Sequence, residues 1–508
     1  MDGSVAEVRK RAPIQAASVH EAPVHVVMAF LGQRLPLLLG AALLSWPAIY
    51  NGFPLLYPDS MTYLERGRAL AQAVFLHRFA GYYGFRSLLY TLTIFPLHWN
   101  VTAWPIVALQ CLVAAWVVRL LARVVWPGGG ARAYLALMVF LSLLTSLSWY
   151  ADFIMPDVLG PLAYLALILL ACWREGLSRW ERVGLGLAAW WGITAHSTHL
   201  LLAVGLVALL GLMAACEPKW FLDRMRGVAL AVAVVVFAAC SQVALNAYLY
   251  GKPSLTGRRP PYLTARILAD GPGRWYLERN CGQEHWTICG RVAGVDSNPD
   301  SFLWGADAPY ESSSDQDQER MEQEEGRFVA ATLRAYPEQE LKRAVGNFRQ
   351  QLQAFGPYGF DSNEWTLEQF EKTLTPARAS YMRSKEAHDA LPLDPLATIQ
   401  FWTVMASLAA AGVLILLGWR RRERPIGSRL SASRRMVELG ICVLALVVVN
   451  ALITGVLSTV DDRYGCRVIW MIPLYAGLQA LDNLRGRQEA LTASSGLTRS
   501  RSSLEGLK

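Results

Sequence analysis

The feature that most constrains this chain is a succession of apolar runs, each close to the length of a membrane crossing. A helix needs about 20 predominantly apolar residues to traverse a hydrocarbon core. Runs of that kind recur at 30–52, 101–122, 133–151, 156–173, 183–198, 199–216, 227–249, 396–418, 436–459 and 467–483. Only 17% of the 508 residues are charged, against roughly a quarter in an ordinary soluble domain. The expected fold class is an all-α polytopic membrane protein with about ten transmembrane helices. The formal charge of +8 calls for no nucleic-acid partner, because Lys and Arg gather at the cytoplasmic ends of spans. The first run is too long for a signal-peptide core and lacks a small-residue cleavage site, so it reads as a retained signal anchor.

Basic residues set the orientation. Arg9, Lys10 and Arg11 place the N-terminus inside, so residues 53–100 lie outside. The apolar piece 84–98 is the ambiguous one. If it crossed, Arg119, Arg123 and Arg132 would fall outside; if it only lies on or dips into the membrane, they are cytoplasmic. So are Arg174, Arg179 and Arg182; Lys219, Arg224 and Arg226; the run Arg420–Arg422 with Arg424, Arg434 and Arg435; and Arg485 with Arg487. Ten spans with both termini inside satisfies all of these. The outward-facing parts are then loop 53–100, the turns 149–157, 196–199 and 460–467, and the segment 250–395.

The expected organisation is an N-terminal transmembrane core (1–249) containing loop 53–100, an extracytoplasmic, mainly helical segment (250–395), C-terminal transmembrane helices (396–484) and a cytoplasmic tail (485–508). Within the outer segment, the acidic Ser/Gln-rich stretch Asp307–Glu325 reads as mobile. Arg327–Phe355 has helical periodicity, with Phe328, Leu333, Leu341, Val345, Phe348 and Leu352 near one face, and suits a helix on the membrane surface. Residues 59–77 start at Pro58-Asp59-Ser60 and have one apolar side, as an interface-lying helix would. Cys281 and Cys289 are the two cysteines in the long polar segment and are a candidate disulfide in an oxidising compartment. The other six sit in or beside apolar runs, where Cys is commonly a small hydrophobe. Trp190 and Trp191 read as interior or belt packing.

Ionisable groups at a membrane boundary are costly and are functional candidates by default. Tyr57-Pro58-Asp59-Ser60-Met61-Thr62-Tyr63 places Asp59 where the first run surfaces, although Asp is also a favoured helix N-cap. Asp157 follows Pro156 at an outer turn shared with Asp152. Asp461-Asp462-Arg463-Tyr464-Gly465-Cys466-Arg467 places two arginines on the side where positive charge is scarce. A lipid phosphate is a natural reason for them, because guanidinium matches phosphate oxygens with several donors. The bland alternative pairs Arg463 with Asp461 or Asp462. Arg258 and Arg259 form a second outer basic pair that suits the same role. His196 and His199 share a helix face, a spacing compatible with metal but more often with local hydrogen bonds or a polar ligand. The chain has no Walker A loop, dinucleotide fingerprint, G-x-S-x-G or zincin motif.

This arrangement resembles the GT-C superfamily of integral membrane glycosyltransferases, particularly the lipid-A aminoarabinose transferases and the protein O-mannosyltransferase group. The matching features are Tyr57-Pro58-Asp59-Ser60 after the first span, Met155-Pro156-Asp157-Val158-Leu159 opening the fourth, and Asp462-Arg463-Tyr464 before a late span containing Trp470 and Pro473. The N-terminal 220 residues fit best; segment 250–395 matches no characterised domain. The resemblance implies transfer of a sugar, with inversion, from a polyprenyl-phosphate-linked donor to an extracytoplasmic lipid, glycan or protein acceptor. Asp59 would be base or metal-positioning carboxylate and Asp157 its helper, with Arg463, Tyr464 and Arg467 binding phosphate. Some relatives use a divalent metal and others do not, so that cofactor stays open. The implied setting is the bacterial inner (plasma) membrane, with the site on the periplasmic side. The alternative is a non-enzymatic transporter or flippase of a lipid-linked saccharide, which should bury ionisable groups near the midplane.

Overall fold

The computed structural model describes residues 34–80, 84, 86–216, 221–292, 294–360, 364–420 and 427–505. The basic triplet Arg9–Arg11, the start of the first apolar run, and Arg421, Arg422 and Arg424 lie outside the described residues. Within them the protein is all-helical, and its one extended pairing is a parallel bridge between Leu55 and Phe153.

The first apolar run is two helices, α1 (Arg34–Leu44) and α2 (Trp46–Asn51), parted at Ser45. There follow α3 (Pro58–Leu76), α4 (Leu88–His98), α5 (Trp104–Val125), α6 (Gly130–Leu144), α7 (Leu147–Ala151), α8 (Leu159–Cys172), α9 (Arg179–Thr194), α10 (Ser197–Ala215) and α11 (Phe221–Tyr250). The segment 250–395, expected to face outward, supplies α12 (Tyr262–Asp270), α13 (Pro272–Glu284), α14 (Asp300–Leu303), α15 (Asp315–Ala335), α16 (Pro337–Gln353), α17 (Glu364–Phe370) and α18 (Arg378–Tyr381). The chain ends with α19 (Leu393–Arg420), α20 (Gly427–Leu457), α21 (Asp462–Ile469) and α22 (Met471–Glu505).

Among the described residues, five helices are long and apolar enough to cross a membrane: α5, α10, Arg224–Tyr250 within α11, Leu393–Leu416 within α19 and Met436–Leu457 within α20. The other apolar helices are shorter, because they break where the chain turns. The run 133–151 parts at Thr145-Ser146 into α6 and α7, and 156–173 opens with a 3-10 turn at Pro156–Val158. The last run divides into α21 and α22 at Trp470. The 11 residues of α4 reach about 16 Å at 1.5 Å per residue, half of a ~30 Å hydrocarbon core. It is too short to cross as a helix.

One large core runs through the bundle from Leu44 to Leu478. Its centre is α8, whose residues Leu159–Ala171 are all buried. Close approach of α9 onto α8 depends on Gly192, where a Cβ would stand 2.2 Å from the Leu159 carbonyl oxygen. Trp190 and Trp191 are interior packing residues whose indole N–H groups donate to Ser241 and Thr93 at 3.0 and 2.8 Å.

The outer segment is divided by its packing. Residues of α12–α15 build a separate small core around Leu268, Leu277, Phe302 and Phe328, and Cys281–Cys289 is a disulfide beside it. By contrast Phe355, Phe360, Phe370, Leu374 and Tyr381 belong to the core of the bundle. Two expectations are corrected here. The acidic stretch is ordered: from Asp315 it is helix α15, capped by Ser314, with Asp317, Glu322 and Glu325 paired to Arg291, Arg258 and Arg259. The long amphipathic helix is broken at Tyr336-Pro337, because proline cannot donate to the preceding turn. Its two halves pack in different places: Phe328 in the small core, and α16 on α20, with a Cβ at Gly455 placed 2.9 Å from the Asn347 carbonyl oxygen.

Candidate functional site

Three turns distant in sequence are bound together by hydrogen bonds. Leu55 N–H donates to the Asp152 carbonyl oxygen at 3.1 Å and Ile154 N–H to the Leu55 carbonyl oxygen at 2.9 Å, joining the loop before Asp59 to the turn before Asp157. Buried Gln110 of α5 holds that turn by donating to the carbonyl oxygens of Ala151 and Phe153 at 3.0 and 2.8 Å. The third turn is attached through Ser146, whose hydroxyl donates to the Cys466 carbonyl oxygen at 2.8 Å, and Tyr150, which donates to that of Arg463 at 3.3 Å. Gln351 of α16 brackets Asp461 from the other side, bonding both its N–H and its carbonyl oxygen. Gly465 completes the fit, since a Cβ there would stand 1.9 Å from the Ala354 carbonyl oxygen.

These turns bring Asp59, Asp157, Arg463 and Arg467 together. The arginines are four residues apart on α21 and therefore share a side of that helix. Arg463 Nη1 lies 3.7 Å from Asp59 Oδ2 and its Nε 3.9 Å from Asp157 Oδ1; Arg467 Nη1 lies 3.6 Å from Asp157 Oδ1. Arg467 is held by Asn450, whose Oδ1 accepts from Nη2 at 2.9 Å. Both guanidinium groups flank Tyr464, at 5.1 and 5.0 Å from its ring centroid, and Arg463 also lies 4.4 Å from the Tyr57 ring. Burial pushes the Tyr57 phenol up to about 12, against the opposing charge of Arg463, so it stays a neutral stacking platform at physiological pH.

The helix-cap reading of Asp59 does not describe its place. Tyr57 is the N-cap of α3, Ser60 Oγ accepts from Tyr57 N–H at 3.0 Å, and Asp59 stands two positions past the cap, in the first turn. Its carboxylate is therefore available to Arg86, which forms an ion pair with it, and to Arg463. The bland reading of Arg463 fails as well. Asp461 caps the Arg463 backbone N–H at 2.7 Å and Asp462 accepts from Gly356 N–H at 2.6 Å, while the Arg463 side chain turns to Asp59 and Asp157.

The guanidinium donors are incompletely used. Arg463 Nε and Nη1 and Arg467 Nη1 are buried without a hydrogen-bond partner among the described residues, although the side chains are only 7% and 1% exposed. Buried donors normally find partners. Here they face carboxylates at 3.6–3.9 Å, within ion-pair distance but too far for a hydrogen bond.

Beside this cluster lies a cavity of about 370 Å³. Its polar lining includes Arg86, His196, Arg259, Tyr262 and Tyr464, and its apolar lining comes mainly from leucines of α4, α10, α11 and α20. Arg259 pairs with Glu325 at 2.9 Å, and Glu325 also accepts from Leu263 and Thr264 N–H at 2.8 and 3.4 Å, so α15 fixes the first turn of α12 and with it Tyr262. Arg258 is committed to Glu322 at 2.9 Å and does not line the cavity. His196 caps α10 through Thr198 and lines the cavity. His199 is buried in the bundle and donates from Nδ1 to the Gly192 carbonyl oxygen at 2.8 Å. Asp152, which shares its turn with Asp157, is structural: it accepts from Ala48 N–H at 2.7 Å and from the Cys111 thiol at 3.2 Å.

Sequence reading passed over Arg86, Tyr262 and Asp300. Burial pushes the Asp300 carboxyl up, with the charges of Asp461 and Asp59 acting the same way and Arg463 opposing. Arg86 carried a usable signal, since the expected topology puts it in loop 53–100, among the arginines that break the positive-inside bias. Among the described residues no three His, Cys, Asp or Glu side chains converge as a metal-ligand set; Asp59 and Asp157 face guanidinium groups. No protein-family model, curated protein sequence or solved structure matches the chain. Fold and site together describe a helical membrane protein with a buried aspartate–arginine centre beside an apolar cavity.

Proposed function

We propose that this protein is an integral membrane glycosyltransferase. It moves a sugar from a polyprenyl-phosphate-linked donor to a hydroxyl-bearing acceptor on the extracytoplasmic side, in a bundle of about ten crossings. The observation that carries this reading is the set of buried, unspent guanidinium N–H groups of Arg463 and Arg467 between two aspartates, beside an apolar cavity. Buried charge of that kind suits a phosphate, which guanidinium meets with strong charge-assisted bonds. An apolar hollow next to it suits a prenyl chain. The disulfide in the outer segment supports the outward placement, because disulfides persist in oxidising compartments.

In the reaction Asp59 takes the proton of the acceptor hydroxyl as the oxygen attacks the anomeric carbon. The bond from that carbon to the carrier phosphate breaks, and its electron pair leaves with the phosphate. One displacement inverts the sugar carbon. A phosphate leaving group needs little protonation, so a single base suffices. Arg463 and Arg467 neutralise the charge growing on the departing phosphate, and Asp157 orients both. Arg463 is shared between Asp59 and Asp157 at ion-pair distance; its shift toward an incoming phosphate frees Asp59 Oδ2 to act as base, while Oδ1 stays paired with Arg86.

Native mass spectrometry of the purified protein with a polyprenyl phosphate tests the binding half of this proposal. Wild type should retain one lipid phosphate, and Arg463→Gln and Arg467→Gln should each lose most of it. Equal retention by all three contradicts the assignment. Retention by wild type with no transfer to any acceptor favours a carrier over an enzyme.

A further inference from the structure

Glu386 stands far along the chain from every residue of the site, yet it is bound to the loop that delivers Asp59. It sits on a 3-10 turn (Glu386–His388) and is 1% exposed. Its Oε1 accepts from Leu56 N–H at 3.0 Å, and its Oε2 accepts from Asn51 Nδ2 at 3.2 Å. The pairing with Asn51 is reciprocal, since Glu386 N–H donates to Asn51 Oδ1 at 2.8 Å and Lys385 N–H donates to the Asn51 carbonyl oxygen at 3.0 Å. Asn51 ends α2, and Leu56 immediately precedes Tyr57, the N-cap of α3. Around this knot Phe53 packs edge-on against Phe370 and Tyr381, with ring centroids 6.1 and 5.6 Å apart.

A buried carboxylate is expensive unless it is hydrogen-bonded, and bonds to a charged acceptor are among the stronger ones in proteins. Residues 52–56 have no helix of their own to fix their path. Their outward N–H groups are held on one side by the Leu55–Phe153 bridge and on the other by Glu386. The loop leads within one residue to the Tyr57 ring, which lies 4.4 Å from the Arg463 guanidinium, and within three to Asp59. A displacement of Leu56 would therefore shift both the platform of Arg463 and the base.

We propose that Glu386 is a positioning residue for the Asp59 carboxylate, so that the last part of the outer segment belongs to the catalytic scaffold. This rests on the function proposed above. Glu386 acts through the backbone of Leu56 and touches neither donor nor acceptor. Its removal should leave ground-state binding nearly intact and lower the rate of the chemical step, because misplacement of a reacting group by about 1 Å can cost on the order of 100-fold in rate.

The test uses the full-length purified protein with Glu386→Gln, Glu386→Ala and Asp59→Asn as separate variants. Glu386→Gln keeps an acceptor for Leu56 but turns an amide toward the Asn51 amide; Glu386→Ala removes both bonds. The expected order of kcat for sugar transfer is wild type, then Gln, then Ala, with a loss of at least tenfold for Ala and KM within threefold of wild type. Amide hydrogen exchange across residues 52–60 should rise in the same order, with no change across 262–336. Should the Ala variant not fold, the Gln variant carries the comparison. Unchanged kcat in the folded variants, a loss confined to KM, or unchanged exchange at 52–60 overturns the proposal. If Asp59→Asn transfers sugar at the wild-type rate, the reading of the function falls first, and exchange then reports only whether Glu386 holds the loop.

Discussion

Replacement of Arg463 by glutamine probes the site at its most connected point. Its guanidinium lies 3.7 Å from one Asp59 oxygen and 3.9 Å from one Asp157 oxygen, and stacks between Tyr57 and Tyr464. At about 4 Å and an effective dielectric near 20, each such pair is worth roughly 4 kcal/mol before desolvation. Breaking a buried pair by removing one partner costs about 3–5 kcal/mol. Asp59 keeps Arg86 and Asp157 keeps Arg467, so the lower end of that range, about 3 kcal/mol, is expected. The lost stacking adds roughly 0.5–2 kcal/mol. Binding of a phosphate should suffer independently, because each hydrogen bond to a charged group contributes about 1.5–3 kcal/mol, a tenfold to hundredfold loss in affinity. Thermal unfolding in detergent, with and without a polyprenyl phosphate, separates the two effects. Wild type should be stabilised by the lipid phosphate, while Arg463→Gln should melt lower and respond weakly. Arg463→Lys should recover stability more than binding, since ammonium keeps the charge without the planar fork. A Gln variant with wild-type melting and wild-type stabilisation by lipid phosphate would refute the reasoning.

Other consequences follow from the packing. The Glu340 carboxyl is pushed up to about 7 by burial and by Asp270, against Arg266 and Arg343. An unfolded Glu titrates near 4.3, so the folded state holds the proton more tightly; stability is fullest below that value and is lost as pH rises through about 7. Melting temperature should therefore decline between pH 5 and 7.5, and Glu340→Gln should flatten that part of the curve. Gly465→Ala should destabilise α21 by about 1–3 kcal/mol through overpacking against the Ala354 carbonyl, read as a lower melting temperature and weaker lipid-phosphate binding together. Alkylation without reductant should leave Cys281 and Cys289 unmodified by intact mass, and mass addition at both would contradict the disulfide.

The bundle was legible because lipid-compatible runs leave a strong signal, and Asp59, Asp157, Arg463 and Arg467 were legible because charge at a span boundary stands out against it. What a linear sequence hides is the stapling. Gln110, Ser146, Tyr150 and Glu386 look like ordinary polar residues, and only three-dimensional placement shows that each holds one of the turns that carry the site. Helix breaks within the apolar runs were hidden for the same reason. A hydrophobic run records what is buried, and the run 133–151 is folded into two helices, α6 and α7. The acidic stretch 307–325 was misread because its composition suits disorder, while its partners Arg258, Arg259 and Arg291 lie elsewhere in the sequence. Arg258 shows the converse: its sequence position suggested phosphate, and the fold gives it Glu322.

The most direct test of the account is sugar transfer by Asp59→Asn, measured with purified protein and a polyprenyl-phosphate-linked sugar against a mixture of candidate acceptors. The substitution keeps the shape and removes the base, so protein yield and retention of lipid phosphate should stay near wild type while transfer falls by a hundredfold or more, on the order expected for loss of general-base catalysis. Transfer at the wild-type rate by that variant would contradict the central claim.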